Sequence, residues 1–227
     1  MNCKKCNLPD NYPNISFNND GICNFCLQSS DNYHYKGLDA LKADIEKVLS
    51  LSDSNRKYDC AVGVSGGRDS SYLLYYAKEV LKLNVLAVSM DHDFITPMAR
   101  QNIKKITTEL CVDLHYINND ILNKESRRCV RQWAKKPDAA MCLTFCTGCR
   151  YGINRLIPQY VQKLGIPLLL TGHVPIEAKM TYRVALLCDN NKINTSNKLY
   201  GYGKRLLRNP SYLRSIIGVF SSFLYKE

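Results

Sequence analysis

Residues 60–71 read Cys-Ala-Val-Gly-Val-Ser-Gly-Gly-Arg-Asp-Ser-Ser. The first five are apolar or small and predict a strand, and a helical pattern follows from Ser71. Between the two, glycines let backbone N–H groups approach an anion without obstruction by Cβ. The start of the helix adds partial positive charge, and serine hydroxyls donate hydrogen bonds. The sequence therefore predicts a phosphate-binding loop at residues 65–70.

The pattern around this loop alternates between strands and helices. Strands are predicted at 60–64, 85–90, 114–117 and 167–170, with helices at 38–51, 71–81, 97–110, 123–135 and 155–164. Residues 190–198 are predicted as a loop, and 212–225 as a helix whose apolar side packs on the domain. The alternation favours an α/β fold, a doubly wound parallel sheet of Rossmann-like type with helices on both faces.

The loop matches neither the nucleotide-kinase motif nor the dinucleotide motif. It resembles the Ser-Gly-Gly-x-Asp-Ser signature of the N-type ATP pyrophosphatases, the PP-loop enzymes. That resemblance implies ATP cleavage to AMP and pyrophosphate, with Asp69 holding Mg²⁺ and Arg68 standing where the family usually carries Lys. It also implies that the pyrophosphate end of ATP is held by Ser65, Gly66, Gly67, Ser70 and Ser71.

Two later segments agree with this resemblance. The second strand ends at Ser89, Met90 and Asp91, where the resemblance implies that backbone groups read adenine. The last strand is followed by Thr171, Gly172 and His173, which look like the second nucleotide-contacting segment and would place His173 among the catalytic residues. Ligands bind at the carboxyl ends of parallel strands, as these segments would. His92 is better interpreted as a structural histidine.

Four cysteines near the N-terminus have the spacing of a structural zinc site: Cys3, Cys6, Cys23 and Cys26. Four thiolates close a tetrahedron and leave no open position, so a Zn²⁺ ion there would serve folding or docking. We predict a zinc knuckle over 1–35, a linker helix region over 36–57 and a PP-loop domain over 58–227.

Composition narrows the class further. Seven of the eleven cysteines lie in two close pairs and one group of three, which favours metal or redox chemistry over a secreted disulfide scaffold. No stretch reaches the roughly 20 apolar residues of a spanning helix, and no secretory signal is visible, so we expect a cytoplasmic protein without a membrane span. The net charge of +11 suits phosphates of nucleotide-sugars or RNA, or is simply a solvated basic face.

The cysteine pairs and the loop, taken together, look like the N-acetyl sugar amidotransferases of surface-polysaccharide biosynthesis. This resemblance implies that an acetamido oxygen of an N-acetyl sugar or nucleotide-sugar is adenylated and replaced by ammonia from a separate glutaminase subunit, which gives an acetamidino sugar. The matching residues are 3–10, Pro13, Ile15, Phe17, 21–23, Cys26, 58–60, Phe145, Cys146, Cys149 and 165–168.

The central cysteines leave alternatives open. Cys142, Cys146 and Cys149 have a spacing compatible with buried or inert thiols, with the ligands of a [4Fe-4S] cluster, or with catalytic thiol chemistry. A cluster would favour a second function, the ATP-dependent thiolation of tRNA or of a small molecule. A third interpretation is a zinc-knuckle binding protein with a vestigial ATP site.

Overall fold

The computed structural model describes residues 1–29, 36–172, 185–188 and 195–217. Contacts between residues divide these into two compact units. The first unit contains 1–29, Arg127–Thr147, 185–188 and 195–217, and the second contains Lys36–Ser126 and Gly148–Gly172. The division predicted above into knuckle, linker helix and PP-loop domain stays a prediction.

The second unit is built on a four-stranded parallel sheet, which confirms the predicted α/β class. The strands are β1 (Cys60–Gly63), β2 (Val85–Asp91), β3 (Asp113–Asn118) and β4 (Leu168–Leu170). Their order across the sheet is β3-β2-β1-β4, so β1 is central and has β2 and β4 as its neighbours. The chain moves outward in one direction through β2 and β3 and then returns to the other side of β1. The carboxyl end of β1 is therefore a topological switch point, where such sheets bind ligands.

The two central strands are apolar on both faces because helices cover both faces. On one face of the sheet, Val62 and Ala87 pack in one cluster with Leu74. On the other face, Ala61 and Leu86 pack in a second cluster with Ile157. Strands buried on both sides read as continuous apolar runs, which is why the sequence showed no alternation there. The edge strand β3 alternates in exposure only over its second half, from His115 to Asn118.

The helices of the second unit lie close to their predicted positions. They are α2 (Leu38–Ser50), α3 (Arg68–Tyr75) with a π-helical continuation Tyr76–Val80, α4 (Pro97–Glu109), α6 (Thr147–Tyr151) with a π-helical stretch Gly152–Leu156, and α7 (Ile157–Lys163). Three predicted starts were wrong. The helix predicted over 123–135 begins at Asp120. α3 begins at Arg68 rather than Ser71, so Arg68, Asp69 and Ser70 form its first turn. The helix predicted from Arg155 begins at Thr147, because the π-helical stretch continues the turns across Gly152.

The first unit is helical. It contains α1 (Asn24–Ser29), part of α5 (Asp120–Lys135), α8 (Thr195–Arg208) and 3₁₀ turns at Ala139–Thr144 and Pro210–Tyr212. The loop predicted over 190–198 was wrong from Thr195, where α8 begins, and residues 190–194 lie outside the described residues. Of the helix predicted over 212–225, residues 213–217 are helical and the later ones lie outside the described part. No described helix is both long and apolar enough to cross a membrane.

One arginine organises the core of the first unit. The Arg205 side chain is 13% exposed and forms an ion pair with Asp138 at 3.0 Å. Its guanidinium also donates to the carbonyl oxygens of Leu186, at 2.6 Å, Leu187 and Gly201. The charge of Arg205 is thus satisfied by one carboxylate and three carbonyl groups, as a buried charge requires.

Candidate functional site

The predicted phosphate loop joins β1 to α3 and is held by its two serines. The Ser65 backbone N–H donates to Ser70 Oγ at 3.2 Å, and Ser70 Oγ lies 3.2 Å from both Ser65 Oγ and the Gly67 carbonyl oxygen. Gly67 caps α3 without any side-chain cap. The first N–H groups of a helix have no intrahelical acceptor, so the start of α3 offers donors and partial positive charge to an anion.

Gly66 is required at its position for two reasons. Its φ of +76° is in the left-handed region, and a Cβ there would lie 2.4 Å from the carbonyl oxygen of Ala99 in α4. The carbonyl group of Gly66 itself accepts a hydrogen bond from Asn102 Nδ2 at 3.1 Å. The loop therefore lies directly against the first turns of α4, and its shape depends on that helix.

The segment after β4 packs against the phosphate loop, and its role as a second nucleotide-contacting segment stays a prediction. A Cβ added to Gly172 would lie 3.7 Å from the backbone of Asp69 and Ser70. Thr171 is exposed beside it. His173 lies outside the described residues, and its catalytic role stays a prediction.

The charged residues of the loop point to solvent. Arg68 and Asp69 side chains are 92% and 58% exposed, and Arg68 Nε contacts Asp69 Oδ1 at 3.0 Å. An exposed carboxylate beside a helix N-terminus suits Mg²⁺, which is usually bound through one or two carboxylates together with phosphate oxygens. The donor set thus fits Mg²⁺ with ATP, and Asp69 would hold the ion against the phosphates.

The end of β2 supplies the third edge of the site. Ser89 is buried, and its hydroxyl has no hydrogen-bond partner among the described residues. A buried polar group in this state is costly unless a bound group satisfies it. Asp91 forms an ion pair with Arg100 of α4. Met90, between Ser89 and Asp91 in the strand, is half-buried. Ser89, Met90 and Asp91 therefore lie at the strand end predicted for adenine.

His92 has the environment of a structural histidine. Its Nδ1 accepts a hydrogen bond from the backbone N–H of Phe94 at 3.2 Å. Burial, followed by the positive charge of Arg100, lowers the pKa of His92 below its ordinary value. The ring is therefore neutral near pH 7 and acts as an acceptor within the turn.

Three contributors from α4 were not predicted: Ala99, Arg100 and Asn102. The sequence identified α4 only as an amphipathic helix. The one local signal is a small residue, Ala99, followed three positions later by an amide, Asn102, near the start of the helix. This pattern is also common in helices that contact no ligand, so it does not predict a contact with the phosphate loop. The approach of α4 to Gly66 depends on tertiary packing.

The four N-terminal cysteines converge as predicted. Their sulfur atoms all lie within 4.8 Å of one another, and Cys6 and Cys23 are 3.6 Å apart. Zinc–sulfur bonds of about 2.3 Å in a tetrahedron give sulfur–sulfur edges of about 3.8 Å, so the thiols fit this ion. Burial is the main cause that raises the pKa of Cys26, and the neighbouring thiols raise it further. A bound cation would allow the four thiols to ionise together, because its charge stabilises the thiolates.

Asn14 ties this cysteine site to a distant segment of the same unit. It adopts a left-handed conformation, with φ of +63°. Its amide donates to the carbonyl oxygens of Ala185, at 3.2 Å, and Cys188, at 2.9 Å. Ala185 is buried in the same apolar cluster as Cys3 and Cys23. The loops that carry the thiols therefore also hold residues 185–188.

The central cysteines are not buried thiols. Cys142, Cys146 and Cys149 are all exposed, and exposure alone does not distinguish inert thiols from iron ligands or catalytic thiols. Within the described part of the chain, the N-terminal cysteines are the one group of three or more whose ligand atoms converge for a metal. Inert thiols, iron ligation and thiol chemistry all stay predictions for these three residues.

No protein-family model matches the chain. Among curated proteins it is 28% identical over 160 residues to an uncharacterized protein of Methanocaldococcus jannaschii, which aligns with 70% of this chain and 53% of that protein. It is 30% identical to tRNA(Ile)-lysidine synthases of Bartonella tribocorum over 128 residues and of Bartonella henselae over 142. The chain spans 53% of the first relative and about a quarter of each synthase, 23% and 26%.

Solved structures with a similar arrangement include three enzymes. NMN synthetase from Francisella tularensis has a TM-score of 0.38 and 14% identity, with 59% of this chain and 54% of that chain covered. Glutamine-dependent NAD+ synthetase from Acinetobacter baumannii has a TM-score of 0.42 and 16% identity, with 84% of this chain and 37% of that chain covered. The U34-tRNA thiolase from Methanococcus maripaludis with its [4Fe-4S] cluster has a TM-score of 0.35 and 16% identity, with 100% of this chain and 89% of that chain covered.

Proposed function

We propose that this protein is an ATP-dependent amidotransferase that forms AMP and pyrophosphate. It adenylates the acetamido oxygen of an N-acetyl sugar and replaces that oxygen with ammonia supplied by a partner glutaminase. The observation that carries the ATP chemistry is the loop of residues 65–70 at the switch point of the sheet, with Gly172 packed against it. The sugar and the ammonia rest on the resemblance of the cysteine pairs and central segment to sugar amidotransferases.

The chain's residues have distinct roles in this reaction. The acetamido oxygen attacks the α-phosphorus, the bond to the β-phosphate oxygen breaks, and pyrophosphate leaves. The first turn of α3 and Ser65 bind the departing charge, which is where preorganised donors contribute most to rate. Arg68, 92% exposed, is free to turn toward the phosphates. Ammonia then adds to the activated carbon and AMP departs with the acetamido oxygen.

Magnesium would supply a further positive charge next to the pyrophosphate oxygens when it is bound. Asp69 is the residue placed to hold it. Because Asp69 also contacts Arg68, its removal leaves the guanidinium without its carboxylate partner as well as removing the metal ligand.

The reaction products test the ATP chemistry. We expect magnesium-dependent release of AMP and pyrophosphate with N-acetyl sugars and ammonium, and a loss of about 10²–10³ in rate for Asp69→Ala. Asp93→Ala is a matched control, since Asp93 is an exposed carboxylate in the turn after β2. Formation of ADP and phosphate would contradict the proposal.

The nucleophile is tested separately. We expect turnover with ammonium or with a glutaminase and glutamine, and little with sulfide. Turnover with sulfide alone would instead favour sulfur transfer, leaving the ATP chemistry intact.

Sulfur transfer is the second candidate, and the spacing of the exposed Cys142, Cys146 and Cys149 favours it. A thiolase of the clustered kind needs thiolates that solvent and iron can reach. The relatives named tRNA(Ile)-lysidine synthase make a tRNA acceptor the first substrate to try in this case.

A further inference from the structure

Helix α8 has one face that is fixed in the first unit. Gly201 packs so closely that a Cβ there would lie 1.9 Å from the carbonyl oxygen of Leu187. Tyr202 is buried, and Arg205 is held by Asp138. These contacts fix one side of the helix in the first unit, so the helix is not free to turn its other side inward.

The other face of α8 is mostly apolar and open. We call it the outer face, and it consists of Ser196, Leu199, Tyr200, Gly203 and Leu207. Leu199, Gly203 and Leu207 are spaced by four and form one row along the helix. Leu199 is 51% exposed, Tyr200 64% and Leu207 87%. A Cβ added to Gly203 would meet nothing within 4 Å, so the row runs through open space.

Exposed basic residues lie at and after the C-terminal end of α8. Lys136 Nζ donates to the carbonyl oxygen of Arg208 at 2.9 Å, which places the end of α5 beside the end of α8. Lys136, Arg208 and Arg214 are all exposed. Residues 195–217 contain no acidic residue, and the one acid between 127 and 147, Asp138, is paired with Arg205.

We propose that the outer face of α8 docks on an anionic membrane surface, with Leu199, Tyr200 and Leu207 entering the headgroup boundary. Exposed leucines flanked by cations and free of acids are the pattern of an interfacial helix. Anionic lipid attracts Lys136, Arg208 and Arg214, and the acyl boundary takes up the apolar row. Nucleic acid would use the same cations but gains nothing from Leu207, because stacking requires aromatic or guanidinium planes.

Sedimentation of the full chain with lipid vesicles tests this. We expect binding to phosphatidylcholine vesicles that contain about 30% phosphatidylglycerol to exceed binding to pure phosphatidylcholine by at least about tenfold, and to weaken as salt rises. Leu207→Ser should weaken the anionic binding about fivefold to tenfold, and Leu207→Met should restore it. Arg208→Ser should weaken it about fivefold.

The control is Leu51→Ser, which removes a leucine that is 81% exposed in the second unit and should leave vesicle binding unchanged. Thermal unfolding verifies that each variant is folded, and Leu199→Ser replaces Leu207→Ser if that variant does not fold. Binding that does not prefer anionic vesicles, or that Leu207→Ser leaves unchanged, overturns the proposal. Binding of polyuridylate that requires Arg208 but not Leu207, without vesicle binding, also overturns it and identifies a nucleic-acid surface.

Discussion

Replacing Gly66 with alanine separates backbone strain from contact with α4. Both Gly66 and Gly165 have positive φ, +76° and +68°. A Cβ at Gly165 meets nothing within 4 Å, whereas a Cβ at Gly66 would lie 2.4 Å from the Ala99 carbonyl oxygen. Gly165→Ala is therefore the matched control, because it introduces only the left-handed conformation.

The expected magnitudes follow from these two geometries. A left-handed residue with a side chain costs about 1–2 kcal/mol, which is the whole effect expected for Gly165→Ala. Gly66→Ala adds an overpacking term of about 1–3 kcal/mol, because either the loop or the first turn of α4 must move by about 1 Å. The free energy of unfolding should therefore fall by about 2–5 kcal/mol for Gly66→Ala.

Urea unfolding measures both variants, and pyrophosphate release measures the site. We expect Gly66→Ala to lose about 10²-fold or more in pyrophosphate release, since displacement of the loop by about 1 Å misplaces its donors. Gly165→Ala should stay near wild type. If the two variants lose the same free energy of unfolding and both release pyrophosphate normally, α4 does not support the loop and our account of the site is wrong.

Three further predictions concern metal, core and pH. Cys23→Ser should lose one bound zinc and lower the unfolding temperature, as metal analysis and calorimetry would show; protein prepared without chelator that contains no zinc would contradict this. Arg205→Met should lower the free energy of unfolding, measured in urea, by about 3 kcal/mol, because Asp138 and three carbonyl groups lose their partner. The control Arg208→Met replaces an exposed arginine and should cost almost nothing. Equal losses in the two variants would refute the role of Arg205 in the core. Folding lowers the pKa of His92, so as pH falls the unfolded chain takes up a proton before the folded chain does, and stability should fall below about pH 6.5. A His92→Gln variant should lose that part of the pH dependence. An unchanged dependence of stability on pH in this variant would contradict the prediction.

The central cysteines distinguish the two enzyme candidates. In the amidotransferase, anaerobically purified protein should be nearly colourless, and Cys146→Ala should still bind ATP. Brown protein with about four irons per chain, lost in Cys146→Ala, would make sulfur transfer the better assignment.

The sheet could be predicted because its strands are short apolar runs separated by helical patterns. Parallel strands buried on two faces leave a continuous apolar signal, as residues 85–88 do. The exact start of α3 could not be predicted, because Arg68 and Asp69 are polar residues that also occur in loops. In the structure Gly67 is the N-cap residue, and Arg68 and Asp69 are the first two helical residues.

The candidate site was predictable where one local segment contains it. The phosphate loop and the cysteine pairs have fixed spacing, so their chemistry is visible in the sequence. The support from α4 and the bond from Asn14 to Cys188 join residues far apart in the chain, for which a single sequence has no signal.

The bond between Asn14 and Ala185 also sets an order for folding during synthesis. The two residues are 171 positions apart, and the sheet of the second unit lies between them in the chain. Contacts between residues this far apart in the chain form more slowly than contacts between sequence neighbours. As the chain emerges from the ribosome, the sheet has all its strands before residues 185–188 exist, so the N-terminal cysteine loops must wait without their final partners. Those loops are therefore the part of a nascent chain most dependent on early metal capture or on chaperone protection.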